Sequence, residues 1–203
     1  MKVVRPCVII NKMEVELKLL FAEEELHKFL QGKFFLDHCC DGEGETLRLV
    51  STYYDSPERR LRRGGVAYRV RSTEFPDGHV EYESTTKRTI RKEGGLAERE
   101  EINEPQMDGR PRFADVEPLF ATKVTRVVRM LRYEGALFEM AVDKGWLEAA
   151  NGRTESIDEV EFELKEGTAG DLENLRRALA RVAVFREESK SKYARGLVLL
   201  GEV

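Results

Sequence analysis

MEVELKLL at residues 13–20 and DEVEFELKEG at residues 158–167 decide the fold of this chain. In the first, Glu14, Glu16 and Lys18 alternate with Val15, Leu17 and Leu19; in the second, Glu159, Glu161, Glu163 and Lys165 alternate with Val160, Phe162 and Leu164. Successive side chains of a strand point to opposite faces, so each segment is a row of charge backed by an apolar packing surface. A row of carboxylates on one face is mutually repulsive unless a cation relieves it, and two such rows point to a metal.

The rest of the composition limits where that charge can be used. The 203 residues are 41% hydrophobic and 35% charged, with a formal net charge of -4. Both signs are interspersed, and no basic stripe or basic amphipathic helix points to nucleic acid or a membrane. One compact domain is the simplest organisation. Cys7, Cys39 and Cys40 are odd in number and lack metal-type C-x-x-C spacing, and no secretory signal or membrane span is legible. A reduced, cytoplasmic protein is expected.

Outward from the charged segments, strand patterns dominate. After the first strand (about 13–20), AEEELHKFLQ reads as a helix stopped at Gly32, and DHCCDGEGE reads as disordered. LRLVSTYYD (47–55) is a strand; Ser56-Pro57-Glu58 opens a helical turn ending near Gly64-Gly65. VAYRVRST and the segment from His79 to Arg91 flank the Pro76-Asp77-Gly78 turn, and Gly94-Gly95 leads into a strand over 96–103. A short helix is expected near 112–120, then a hairpin of 123–134 and 136–144 around Glu134-Gly135, then the second acidic strand. A helix from Ala169 to Val184 carries Leu172, Leu175, Leu179 and Val182 at helical spacing, as an outer cover would.

Eight mostly consecutive antiparallel strands would leave two bare edges in an open sheet, and a closed barrel removes them. A two-layer open sheet with a solvated charged face is the competing arrangement. Opposite charge on other strands favours the barrel: Arg69 and Arg71 alternate with Val70, Lys87 lies on the return strand, and Arg126 and Arg129 sit in TRVVR. Several cations gathered in a lumen require a polyanionic guest. Guanidinium forks suit phosphate oxygens, and carboxylates suit magnesium or manganese.

In this order the residues resemble the CYTH superfamily of triphosphate tunnel metalloenzymes. The resemblance rests on the E-x-E-x-K strand, Tyr53 to Asp55, Arg69 with Arg71, Lys87, Arg126 with Arg129, Asp143 before Gly145, the late acidic strand, and Ser191-Lys192. It implies an α+β fold: an eight-stranded antiparallel closed β-barrel, the triphosphate tunnel, with outer helices. It also implies metal-dependent hydrolysis of a small-molecule triphosphate, inorganic tripolyphosphate foremost, with Mg2+ or Mn2+ as cofactor. A class IV adenylate cyclase, a thiamine triphosphatase and a non-catalytic polyphosphate-binding module are the alternatives. Carried over by position, Glu14, Glu16, Glu101, Asp143, Glu161 and Glu163 are the metal ligands. Lys18, Arg69, Arg71 and Lys87 are catalytic, and Arg126, Arg129 and Lys192 bind substrate.

One departure is Asn103, which follows Arg99 and Glu101 where the resemblance calls for a second glutamate; it is left out of the site. Another is the leader, residues 1–12, ahead of a domain spanning 13–203. Its VVRPCVII segment is expected to add an arm or edge strand without catalytic residues, which leaves a homodimer open, and initiation at Met13 is the alternative. His27, His38 and His79 are expected at the surface, and Arg59, Arg60, Arg62 and Arg63 on a solvated helical face.

Overall fold

In the computed structural model, which describes residues 9–40 and 42–202, the alternating segments become long antiparallel strands. The order is β1 (Ile10–Leu20), α1 (Glu23–Gln31), α2 (Lys33–His38), β2 (Glu45–Asp55), α3 (Arg60–Arg63), β3 (Val66–Glu74), β4 (Val80–Glu93) and β5 (Leu96–Gln106). It continues with β6 (Glu117–Tyr133), β7 (Ala136–Ala149), β8 (Thr154–Glu166), α4 (Ala169–Val182), the two-residue β9 (Arg186–Glu187) and α5 (Lys192–Leu200). The sheet runs β5-β4-β3-β2-β6-β7-β8-β1-β9, and β1 also pairs with β5, which closes β1 to β8 into a barrel.

β1 is the closing strand, and the two charge-alternating segments lie side by side in it and in β8. Glu16 stands opposite Glu163 and Lys18 opposite Glu161. On its other edge Glu14 stands opposite Arg99 and Lys12 opposite Glu101. Among the described residues each of β1 to β8 is paired on both sides, which is the physical gain of closure.

The outward side chains of β1, β7 and β8 (Leu17, Leu19, Phe138, Met140, Val160 and Phe162) form the main core with Leu26, Phe29, Phe35, Leu172, Leu175 and Leu179 of α1, α2 and α4. Each of these buried Leu and Phe side chains contributes about 2 kcal/mol through loss of water contact. Their alternation with inward charge is why the outer helices settle on this wall.

A second core forms on the opposite parity. Leu49, Phe120, Leu147 and Ile157 share faces with Tyr53, Arg126, Asp143 and Glu159, and all pack with Leu197 of α5. Helix α5 therefore fills one end of the barrel from inside. Ser191 caps it, its Oγ accepting from the Ala194 N–H at 3.1 Å. Gly196 lets it approach: a Cβ there would stand 2.4 Å from the Phe120 ring.

The expected helix near 112–120 is not formed; residues 112–115 are bend and turn, and β6 begins at Glu117. Leu119 and Phe120 are needed in the barrel wall, where both are almost wholly buried, and Pro118 is tolerated close to a strand start. The stretch expected to be disordered is structured where it is described: Asp37 and His38 end α2, Cys39 bridges to Leu131, and Glu45 begins β2. Most of the VVRPCVII segment lies outside the described residues. Ile10, Asn11 and Lys12 extend β1 along β5. Among the described residues no helix is long and apolar enough to cross a membrane.

Candidate functional site

Strand parity brings the charged residues into one cavity of about 430 Å³, lined by Glu14, Glu16, Lys18, Arg69, Arg71, Lys87, Glu101, Arg126, Glu161, Glu163 and Lys192 among others. Eight strands leave room for one small ligand. Asp143 stands behind this surface with no exposure. Arg126 grips it with Nε and a terminal nitrogen, both at 2.7 Å, and Lys192 Nζ lies 2.7 Å from Oδ2.

Ion pairs organise the walls. Lys87 Nζ donates to both oxygens of Glu14 at 2.8 Å and lies 2.7 Å from Glu101. Arg99 holds Glu16. Lys18 lies 3.3 Å from Glu159 and 3.1 Å from Glu161, and Arg126 reaches Glu161 at 2.7 Å. Oxygens of Asp143, Glu159 and Glu161 fall within 4.8 Å of one another, but Lys192 Nζ contacts all three, so a cation already balances that cluster.

These surroundings set the proton affinities. Burial, joined by the Glu16 and Glu101 carboxylates, outweighs the Lys87 ammonium and pushes Glu14 up to about 7. For Asp143, burial is overcome by Lys192 and Arg126, and the carboxyl is held down to about 2. The same contest holds Glu161 well below the carboxylate range, through Lys192, Lys18 and Arg126. Burial, then Arg69 and Arg126, lowers Arg71 to about 10.

The last value marks an imbalance. Arg71 Nε donates to Ser51 Oγ at 2.9 Å, and Arg69, almost wholly buried, keeps its Nε without an acceptor. Among the described residues neither guanidinium has a carboxylate in ion-pair range. Two neighbouring cations on the wall of a lumen, with donor capacity unspent, are arranged for an anion.

The lumen holds further side chains. Lys12, assigned above to the leader, lines the cavity, as do Arg99, Asn103, Glu139, Lys165 and Arg62. Lys12 shares the parity of Glu14 and Glu16, so the same alternation that located them extends one step earlier. Asn103 faces inward with Arg99 and Glu101, while Glu98 and Glu100 face out. Its Nδ2 donates to Glu101 Oε1 at 2.6 Å, which fixes the amide orientation and leaves the buried Oδ1 without a partner. Arg62 is not solely a surface group: besides lining the lumen it pairs with Glu202 at 3.2 Å.

Arg129 requires a correction. It lies three positions after Arg126, an odd step on a strand, so it faces outward. There its terminal nitrogen lies 2.9 Å from Cys39 Sγ, it contacts the Gly42 carbonyl, and its guanidinium stacks over Phe35 at 5.0 Å. Arg129→Ala should therefore lower the melting temperature while leaving kcat/KM for a triphosphate within about twofold, whereas Arg126→Ala should reduce it on the order of 100-fold. Steady-state phosphate release with parallel thermal melts separates the two.

The inward carboxylates fit a hard divalent cation. Glu14 and Glu16 on β1 face Glu161 and Glu163 on β8 with oxygen donors only, the set that Mg2+ or Mn2+ prefers. The unpartnered Asn103 Oδ1 adds a neutral oxygen at the same surface.

The chain is 28% identical over 204 residues to the inorganic triphosphatase of Haemophilus influenzae, across 92% of this chain and 54% of that protein. It thus spans about half the length of that relative. The PH1819 protein of Pyrococcus horikoshii superposes with a TM-score of 0.63 at 20% identity, covering 94% of this chain and 99% of that one. HpAC1 of Hippeastrum, a putative adenylyl cyclase described as having a dominant triphosphatase activity, superposes at 0.61 and 15% identity, over 94% and 97% of the respective chains. These two likenesses concern the fold. The model of the CYTH domain matches residues 12–197, nearly the whole closed barrel with the helix that fills its end, and the chain belongs to the CYTH domain family.

Proposed function

We propose that the lumen binds a small-molecule triphosphate and, with Mg2+ or Mn2+, hydrolyses it, inorganic tripolyphosphate being the leading substrate. The observation that carries this reading is the pair Arg69 and Arg71, two lumen guanidinium groups without carboxylate partners among the described residues. Fork-shaped donors of this kind match the oxygens of a phosphate chain. Similarity to an inorganic triphosphatase supports the same substrate class.

Arg69 and Arg71 take the phosphate oxygens from one wall, and Arg126 and Lys192 from the other, while Lys18 and Lys87 add charge beside the E-x-E strand. Asp143 holds Arg126 and Lys192 in place through its two oxygens. Glu14, Glu16, Glu161 and Glu163, with Glu101 beside them, would hold the metal, which supplies charge neutralisation and a lowered pKa for water. Attack forms an O–P bond at a terminal phosphorus and breaks the bridging P–O bond, the proton of water passing to a lumen carboxylate. The fixed cations stabilise charge on the transferring group and on the departing pyrophosphate.

The test is product analysis with tripolyphosphate, thiamine triphosphate and ATP in the presence of Mg2+ or Mn2+. Orthophosphate from tripolyphosphate, lost with chelator, is the expected result. Cyclic AMP and pyrophosphate from ATP would establish a cyclase instead, and binding without turnover would leave a triphosphate-binding module.

A further inference from the structure

Glu163 differs from the other inward carboxylates in what holds it. Lys12 Nζ lies 2.7 Å from its Oε1 and Lys165 Nζ 3.0 Å from its Oε2. These are the most exposed of the lumen ammonium groups, at 34% and 29% of the side chain, against 4% for Lys18 and 8% for Lys192. Lys12 has no second ion-pair partner among the described residues. It sits at the end of a flexible four-carbon stem, one inward position ahead of Glu14, where it can swing away from Glu163 without disturbing a backbone contact.

We propose that Lys12 is a removable counter-ion for Glu163: it occupies Oε1 when the lumen is empty and yields that oxygen to the divalent cation. It is a positioning residue and sets the cation affinity of this end of the lumen. The inference rests on the metal-dependent reading above, because Glu163 must be a ligand for Lys12 to compete with the ion. The sign of its effect is set by charge: an ammonium hydrogen-bonded to a ligand oxygen both blocks that oxygen and repels the incoming cation.

Calorimetric titration with Mn2+ alone, without substrate, tests it on the full chain as wild type, Lys12→Met, Glu163→Gln and the double variant. Lys12→Met should bind Mn2+ about tenfold more tightly, and in the Glu163→Gln background the same substitution should have no effect. Lys12→Gln should behave as Lys12→Met and guards against a local packing defect; Lys12→Arg should keep the wild-type affinity. Unchanged or weaker binding in both neutral variants would overturn the counter-ion role, as would tightening that persists when Glu163 is gone. If Glu163→Gln by itself leaves Mn2+ binding untouched, the metal assignment falls and the counter-ion with it; loss in Glu163→Gln with wild-type affinity in Lys12→Met removes the counter-ion alone.

Discussion

Replacing Arg71 with methionine should raise the melting temperature of the ligand-free protein and lower triphosphate hydrolysis by on the order of 100-fold or more. Both effects come from the same cause. The Arg71 guanidinium is brought against Arg69 and Arg126 with no carboxylate in ion-pair range among the described residues, and burial and these neighbours lower its pKa from 12.5 to about 10. A base whose folded pKa lies below its unfolded one is charged in both states at neutral pH but at a cost to the folded state. That cost disappears only as pH rises through about 10 and beyond. The shift corresponds to about 3 kcal/mol as an upper bound, reduced by water in the lumen and by the lost hydrogen bond to Ser51. Even half of it would raise the melting temperature by roughly 3–6 °C in a domain of this size. Thermal melts at pH 7 with and without tripolyphosphate are the check: the ligand should stabilise the wild type strongly and the variant little. A variant that melts lower than the wild type and turns over normally would refute the anion site.

Glu14→Gln should behave as a second trade of stability against activity, with a pH signature. The folded pKa of Glu14, about 7, lies above its ordinary value of 4.5. Between those values the folded state holds a proton that the unfolded chain has released, so this group makes stability fall as pH rises from about 4.5 through 7. Glutamine removes the titration at nearly constant volume, and Lys87 keeps Glu101 as its partner. The melting temperature of the variant relative to wild type should therefore be near zero difference at pH 4.5 and increasingly positive toward pH 8, with a limit on the order of 3 kcal/mol. Turnover should fall by at least 100-fold, because an amide cannot offer the metal a charged oxygen. A difference that stays flat with pH would show that Glu14 is ionised throughout.

The barrel wall was legible because it obeys the period-2 rule at nearly every position. Glu14, Glu16 and Lys18 read off one face, and Val15, Leu17 and Leu19 off the other. The same rule places Arg129 outside and Lys12 inside; the TRVVR run makes Arg126 and Arg129 look like a pair, and Lys12 adjoins the leader, ahead of the E-x-E-x-K pattern. The misplaced helix near 112–120 has a different origin. Local preference around Phe113 to Val116 carries no strand signal, and β6 starts where the barrel needs Leu119 and Phe120. Helix α5 was hidden for the converse reason: KYARGLVLL is apolar enough for a strand, and only its insertion among Leu49, Phe120, Leu147 and Ile157 makes a helix the better-packed state. Site membership was legible by parity, and pairing within the site was not, because which ammonium meets which carboxylate depends on shear around the barrel.

The juxtaposition of β1 and β8 has one more implication. Each strand reads Glu, Glu, Lys at alternate positions, the strands run in opposite directions, and Glu16 lies across from Glu163 with Lys18 across from Glu161. A half-turn about the Glu16–Glu163 pair exchanges one motif with the other. Linear tripolyphosphate is a palindrome under the same rotation, so over these six residues either terminus would meet the same order of charges, and Lys12 and Glu159 at the margins are what distinguish one end of this wall from the other. An organic triphosphate has a head and a tail and cannot share that degeneracy.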